Sequence, residues 1–490
     1  MKYGVLSKIA DSRFLWLLIY VPALAFEVIY AGKVISNAGD AAASLTTYFT
    51  LFLLIQTGCF VFFKLILGKR FELEIAAFML SFLSIAITAS VYPKRTLVQF
   101  LTFALGVVLY YTMLWILQNT RWITSLRVPA ALGAVGLLAA TIVFGTTYRG
   151  ARNWIFIGDF SIQPSELAKI LFIFVGAVTL DKLQSIRSLS KYILFAACCI
   201  GIIFVMKDFG TALIFFATFL IISFMRSGDI KKILLICAAA AVGAVAIVIF
   251  KPYVANRFMT YRHIWEYMDS GGYQQTRVLI YSASGGLFGV GLGNGQLRNV
   301  FAATEDLVFG VLCEEFGIIL AFTVALTYVA FAFYSIKMAK TARSTFYSIA
   351  ACAAAGLMLF QAGLNIFGVT DLLPLTGVTL PFVSRGGSSM LSSWGLLAYL
   401  KAVDPLTYPV KKLSPRPAPV PTAAKSEYAD YLGDGYDDVF IERKKAPRTG
   451  IYISAAKKER QAARPAQSRQ TAGKSASDKG RNTNKGRRTK

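Results

Sequence analysis

Residues 97–117 read LVQFLTFALGVVLYYTMLWIL, a run without a single charged side chain. At 1.5 Å per residue such a run, as a helix, crosses the roughly 30 Å hydrocarbon core of a bilayer. Hydrocarbon offers the backbone no hydrogen-bond partner, so a run like this must satisfy its own N–H and C=O groups, and a helix does so. Working outward along the chain, eleven further segments carry the same signal: 13–31, 47–67, 74–92, 128–147, 165–182, 191–206, 210–226, 232–250, 307–335, 346–368 and 387–401. The expected fold is an all-α, polytopic integral membrane helical bundle of about twelve spans. Composition agrees. Of 490 residues 56% are hydrophobic and only 16% charged, with mean hydropathy +0.57, against about 25% charged in soluble chains. A soluble multidomain enzyme, a disordered chain and a disulfide scaffold are excluded. The six cysteines (Cys59, Cys198, Cys199, Cys237, Cys313, Cys352) sit in apolar runs, where cysteine is a small hydrophobe. A lone histidine, His263, argues against a His-based metal site or a Ser-His-Asp triad. The first run has no small-residue cleavage pattern and further spans follow, so it reads as a span and not as a cleaved leader.

The net charge of +25 is uneven. Between Lys411 and Lys490 there are 20 basic and 8 acidic residues, so this stretch holds +12 of it. Among the loops, one alternating set carries Lys69 and Arg70, Arg121 and Arg127, Lys182, Arg187 and Lys191, Arg226, Lys231 and Lys232, and Lys337, Lys340 and Arg343. The positive-inside bias places that set, the N-terminus and the tail in the cytoplasm. Two long loops, 148–164 and 251–306, then face outward and retain Arg149, Arg152, Arg257, Arg262 and Arg277. These are either solvated loop charges or binders of an anionic ligand, since guanidinium groups hold phosphate bidentately. From about 403 the chain becomes Pro-rich, then Tyr/Asp-rich, then basic, and cannot bury a core. It reads as a disordered cytoplasmic tail lying near anionic lipid or docking a partner, not as a nucleic-acid binder.

Polar residues at membrane depth are costly unless paired or lining a wet cavity. In YRGARNWIFIGDFSIQPSELAKI (148–170), Pro164-Ser165-Glu166 opens a helix on which Glu166 and Lys169 share a face and can pair. KDFGTALIFF (207–216) sets Lys207 and Asp208 at the edge of a span, followed by small residues suited to close packing. The loop 251–306 exceeds a structural connection in length and reads as functional. Its glycine-rich stretch Gly285 to Gly295 lacks the spacing of a phosphate-binding loop, which argues against ATP-driven transport. Glu305 and Asp306 re-enter the membrane side by side, about 100° apart on a helix, so one of them could act alone as a general base. Glu314 and Glu315, deeper in the same span, need partners. Pro374, Pro381, Gly386 and Gly387 mark the last outer loop as a re-entrant or broken helix whose freed N–H groups could hold an anion or a sugar.

Taken in order, these motifs resemble the SEDS family, the RodA/FtsW/SpoVE glycosyltransferases that polymerise peptidoglycan. GARNWI is similar to that family's G-A-(K/R)-R-W-I; QPSELAK, DFGTA, GYQQ with GGLFGVGLGNG, EDLVFGVLCEEFG and NIFGVTDLLPLTGVTLPFVSRGGSS resemble its later signatures across roughly 148–401. Departures are Asn153 for Arg, Lys207 for Pro, Arg277-Val278 for Gln-Ser, Glu305 for Thr, Asp371 for Gly and Arg385 for Tyr. The family core has ten spans, so the resemblance implies a ten-span core preceded by two N-terminal helices. The corresponding organisation is 1–127 with the additional spans, a catalytic core over 128–402, and the tail over 403–490.

The resemblance implies lipid II as substrate: GlcNAc O4 of one molecule would join MurNAc C1 of another, with inversion from an α-diphosphate to a β-1,4 bond. It implies Asp306 as the general base, with Arg152, Trp154, Gln163, Glu166, Lys169, Gln274, Ser384, Gly386, Gly387 and Ser388 around the substrate. No protein metal cluster is evident, which leaves a divalent cation, magnesium or manganese, as an open expectation. Expected partners are a class B penicillin-binding transpeptidase and proteins of an elongation, division or sporulation complex, at the bacterial cytoplasmic membrane with the active site outside. Two rival readings are a lipid II flippase and a non-catalytic scaffold for the transpeptidase.

Overall fold

The computed structural model describes residues 13–148, 150–157, 160–181, 186–231, 234–238 and 259–405. The chain divides into two units, Met1–Leu413 and Ser414–Lys490, and the basic tail beyond 405 lies outside the described residues, as do Arg149, Arg257 and most of the expected span 232–250.

The first two helices, α1 (Arg13–Ser36) and α2 (Ala42–Cys59), form a hairpin; α2 widens into π-helix over Phe60–Ile66. Then come α3 (Glu72–Val91), α4 (Thr96–Leu117), a short α5 (Thr120–Ser125) and α6 (Arg127–Phe144). A three-stranded antiparallel meander follows, β1 (Thr146–Tyr148), β2 (Ala151–Ile157) and β3 (Phe160–Ile162), with Phe156 opposite Ser161. The helices α7 (Pro164–Asp181), α8 (Ile186–Val205) and α9 (Phe209–Ser227) complete the first half. The second half contains α10 (Tyr273–Ser284), α11 (Val308–Phe316), α12 (Ile318–Ala339), α13 (Thr345–Val369) and α14 (Gly387–Ala402).

Eight helical segments among the described residues are long and apolar enough to cross a membrane: α1, α2 with its flanking turns, α3, α4 with its preceding turn, α6, α9, α12 and α13. Of the other segments read as spans from sequence, α7 carries buried Glu166 and Lys169, α8 is a shorter apolar helix over Ser190–Val205 among the described residues, and α14 has 16 residues. The segment 307–335 is not one helix. It breaks at Gly317, whose φ of +85° belongs to the left-handed side of the map and suits glycine, and α11 ahead of it is entirely buried.

α14 runs through the middle of the bundle against α4, α7 and α13. Its Trp394 is fully buried, with Phe78, Phe103, Tyr110 and Phe382 meeting it edge-on at ring-centroid distances of 5.0–6.0 Å. Its indole N–H donates to Ser81 Oγ at 3.2 Å, so the polar atom of a large apolar anchor is not stranded. Gly106 of α4 allows this approach: a Cβ there would lie 2.8 Å from Trp394 Cδ1. The α1–α2 hairpin packs on α3, with Tyr20 stacked on Phe60 at 4.0 Å and Gln56 Nε2 donating to buried Glu27 at 2.8 Å.

Alternate connections gather at opposite ends. At one end the side chain of Lys401 donates to Glu74 (3.0 Å) and to the Arg70 carbonyl (2.6 Å), Tyr110 donates to Glu74 (2.6 Å), and Arg70 pairs with Asp404 (3.5 Å). At the other end the α3–α4, α6–α7, α8–α9, α10–α11 and α13–α14 connections converge on a cavity.

Candidate active site

One wall of the cavity is organised by Asp208. It caps α9, accepting from Thr211 N–H at 3.1 Å, while its other oxygen accepts from Asn153 Nδ2 (2.7 Å) and Gln163 Nε2 (3.2 Å). The aspartate thereby ties strand β2, the entry to α7 and the start of α9 together. Gly210 lets the last loop lie against this corner, for a Cβ there would come within 2.6 Å of Val378 Cγ1. The alternation Trp154-Ile155-Phe156-Ile157 had a strand's period of two. The segment 148–164 was expected only as a long loop.

Deeper, Lys169 and Glu166 pair at 2.7 Å as their spacing required, both nearly inaccessible. Lys169 also donates to Gln361 Oε1 at 2.9 Å, and Gln361 passes the chain on to the Thr379 carbonyl at 2.8 Å. Thr379 Oγ1 in turn meets Ser389 Oγ at 2.9 Å. A buried ion pair is tolerated when its remaining hydrogen-bonding capacity is used, and here it links α7, α13 and the last loop.

The third wall is the segment 304–306, which is irregular and not helical as expected. Its three successive carbonyls each accept a hydrogen bond: Thr304 from Arg385 N–H (2.7 Å), Glu305 from Ser384 Oγ, and Asp306 from Asn365 Nδ2 (2.8 Å). The Arg385 side chain forms an ion pair with Glu305, donates to Thr304 Oγ1 at 3.0 Å, and lies over the Tyr92 ring at 4.7 Å. Glu305 is thus engaged by a cation from the opposite loop. The Asp306 side chain lines the cavity, facing Gly377. Glu314 and Glu315 do find partners. Glu314 accepts from Gln296 N–H (2.6 Å) and Leu297 N–H (2.9 Å), and Glu315 from Gly293 N–H (3.1 Å), so they organise the glycine-rich loop.

The cavity holds about 1340 Å³, larger than the usual small-molecule site of roughly 300–1,000 Å³. Of the residues expected from sequence, Asp306, Trp154, Gln163, Glu166, Lys169, Gln274, Gly386 and Gly387 line it. Three do not. Arg152 turns to the backbone, donating to the carbonyls of Gly145 (2.7 Å) and Val143 (3.3 Å), and so pins β2 to the end of α6. Ser384 is consumed by Leu380 N–H (2.8 Å) and the Glu305 carbonyl, and Ser388 receives Gln163 N–H at 3.1 Å. Besides Lys169, the cations Lys94, Arg95, Lys207 and Arg385 reach the cavity; sequence reasoning noted Lys207 and Arg385 only as departures from the family pattern and missed Lys94 and Arg95. Lys94-Arg95 was legible: a dibasic pair in a loop of the set otherwise assigned to the outside runs against the positive-inside bias and asks for a reason. Gln361 and Asn365 were also passed over, while Asn153, whose Oδ1 has no protein partner, was noted only as a departure. Among the described residues no group of three or more His, Cys, Asp or Glu side chains could hold a metal ion.

Fold and site together define a polytopic helical membrane protein with a polar, cation-rimmed cavity at one end of its bundle. Residues 43–407 match the profile of the cell cycle protein family FtsW/RodA/SpoVE, and the chain belongs to that family. The peptidoglycan glycosyltransferase RodA of Mycobacterium leprae is 29% identical over 322 residues, covering 62% of this chain and 69% of that protein. A probable peptidoglycan glycosyltransferase FtsW of Tolumonas auensis is 30% identical, covering 64% of this chain and 83% of that protein. Among solved structures, Thermus thermophilus RodA superimposes with a TM-score of 0.52 at 22% identity, over 68% of this chain and 96% of that one. A chain from a peptidoglycan synthase complex that coordinates polymerization and crosslinking gives 0.58 at 22% identity, over 70% and 99%.

Proposed function

We propose that this protein polymerises lipid II into β-1,4 glycan strands at the outer face of the bacterial cytoplasmic membrane. That it is a glycosyltransferase rests on its family and its named relatives. The observation carrying the mechanism is the meeting of a cavity-facing carboxylate, Asp306, with Lys94, Arg95 and Lys207 around the same space. In a single inverting displacement the acceptor O4 attacks C1 of the donor sugar. The C1–O bond to the diphosphate breaks, the C1–O4 bond forms, and Asp306 takes the hydroxyl proton. Negative charge then grows on the lipid diphosphate, where fixed cations stabilise it most because little water competes. The diphosphate leaves without a second protonated carboxyl, unlike the leaving group in glycoside hydrolysis. No step is routed through a metal ion.

The same reading places both termini in the cytoplasm, because the cavity loops are the alternating set opposite the basic one. It assigns a class B penicillin-binding transpeptidase as partner, in line with the coupled polymerization and crosslinking of the similar complex. The α1–α2 hairpin is read as an addition before a ten-span core. Solved relatives are covered almost whole by about 70% of this chain, although the family match begins at residue 43 and takes in α2.

The deciding experiment incubates purified protein with lipid II, wild type beside Asp306→Ala, with and without the transpeptidase and a divalent cation. Glycan strands from wild type and a loss of at least about 100-fold in Asp306→Ala, with unchanged thermal unfolding, support the reading. Full activity in the variant overturns the base assignment. No strands under any condition, with lipid II crossing vesicle membranes, would make the protein a transporter.

A further inference from the structure

We propose that the Arg385–Glu305 ion pair is an electrostatic latch that positions the Asp306 carboxylate for proton abstraction. The inference rests on Asp306 being the base. The segment 301–307 is held from within only by turn hydrogen bonds, the N–H groups of Glu305, Asp306 and Leu307 all donating to the Ala302 carbonyl at 3.1, 3.1 and 3.3 Å, and Ala302 takes a φ of +65° that favours glycine. Such a segment keeps one geometry only if its surroundings impose it. Arg385 supplies three of the contacts that hold it from outside. Its backbone N–H holds the Thr304 carbonyl at 2.7 Å, its Nε holds Thr304 Oγ1 at 3.0 Å, and its terminal nitrogen pairs with Glu305. The guanidinium plane is braced from behind by the Tyr92 ring at 4.7 Å. With Ser384 on the Glu305 carbonyl and Asn365 on that of Asp306, the backbone is fixed on both sides of the reacting group. A planar guanidinium suits this role better than an ammonium, because its donors leave in fixed directions and can serve Thr304 and Glu305 together. Both partners are partly accessible from the cavity, with side-chain exposures of 16% for Arg385 and 26% for Glu305. Neither is placed on the reacting atoms. They are positioning residues, and their effect should fall on turnover.

The test is a double-mutant cycle of Glu305→Gln and Arg385→Gln, with Arg385→Lys as the conservative variant, measured as glycan formation from lipid II by the full chain. Misplacing a catalytic group by about 1 Å can cost on the order of 100-fold. Each single variant should therefore lose about 10- to 100-fold in kcat, with KM within about threefold. If the pair acts as a unit, the double variant is no worse than the poorer single one. Arg385→Lys, which keeps the charge and loses the fork, should fall between wild type and Arg385→Gln. Thermal unfolding in detergent reports folding, and if Arg385→Gln does not fold, Arg385→Lys with Glu305→Gln carries the test. Additive losses, unchanged kcat, or an effect confined to KM would overturn the latch; the last would make Arg385 a substrate contact. Asp306→Ala in the same assay separates the two ideas. Activity there removes the base, whereas a dead Asp306→Ala beside fully active latch variants removes only the latch.

Discussion

Arg152, on β2, and Arg385, on the last loop, sit at the same end of the bundle, and their contacts give them different tasks. Sequence reasoning offered Arg152 to the anionic substrate, beside Lys169 and the other outer-loop arginines, because that residue lies in a recognisable motif on a loop expected to face outward. Its guanidinium instead holds two carbonyls at the end of α6. Arg152→Gln should lower stability by about 1 kcal/mol, the ordinary worth of such hydrogen bonds, and leave the KM for lipid II unchanged. Unfolding midpoints and steady-state kinetics on one preparation check both halves, and a several-fold rise in KM would return Arg152 to the substrate. Residue type and neighbourhood in sequence made Asp306, Glu166 and Lys169 legible, since their cost at membrane depth needs no coordinates to recognise. They could not reveal which atoms a flexible arginine reaches. That depends on loops more than 50 residues away, as in the Arg385 contact with Glu305.

Hydropathy located the helical elements well and their interruptions poorly. The run 307–335 is apolar throughout except for Glu314 and Glu315, so nothing in its hydropathy marks the stop at Gly317. The cue lay in side-chain needs: two adjacent carboxylates inside a span have no partners there, and in the structure they turn to the backbone of the glycine-rich loop. The small residues after Asp208 were read as a packing surface, and Gly210 does meet Val378 closely; Gly106 was not singled out. Gly106 faces the rigid Trp394 ring, where a Cβ would intrude to 2.8 Å. Gly106→Val should therefore force α4 and α14 apart and cost about 1–3 kcal/mol, as overpacking does. The corresponding change at Gly58, where a Cβ meets nothing within 4 Å, should cost much less. Equal losses at the two positions would show that helix separation is not the cause.

Across the whole molecule, alternation of loops fixed which connections share an end before any contact was known. The structure brings one set to the cavity and Arg70, from the other set, to the Lys401–Glu74 cluster. Lys401 and Glu74 are almost fully buried, so removing one partner strands the other. Lys401→Met should cost about 3–5 kcal/mol, and Lys401→Met with Glu74→Gln distinctly less, which thermal unfolding of both variants would show. The size of the cavity was not legible, because it arises where five connections meet and no single stretch encodes its walls. One detail of that end has a mechanical corollary. A backbone held at three successive carbonyls cannot travel with a growing polymer. If the base is the stationary jaw, each round of elongation must be accommodated by the strand sliding past it, one disaccharide at a time. The distance between successive bonds is then measured by the sugar chain and not by the protein.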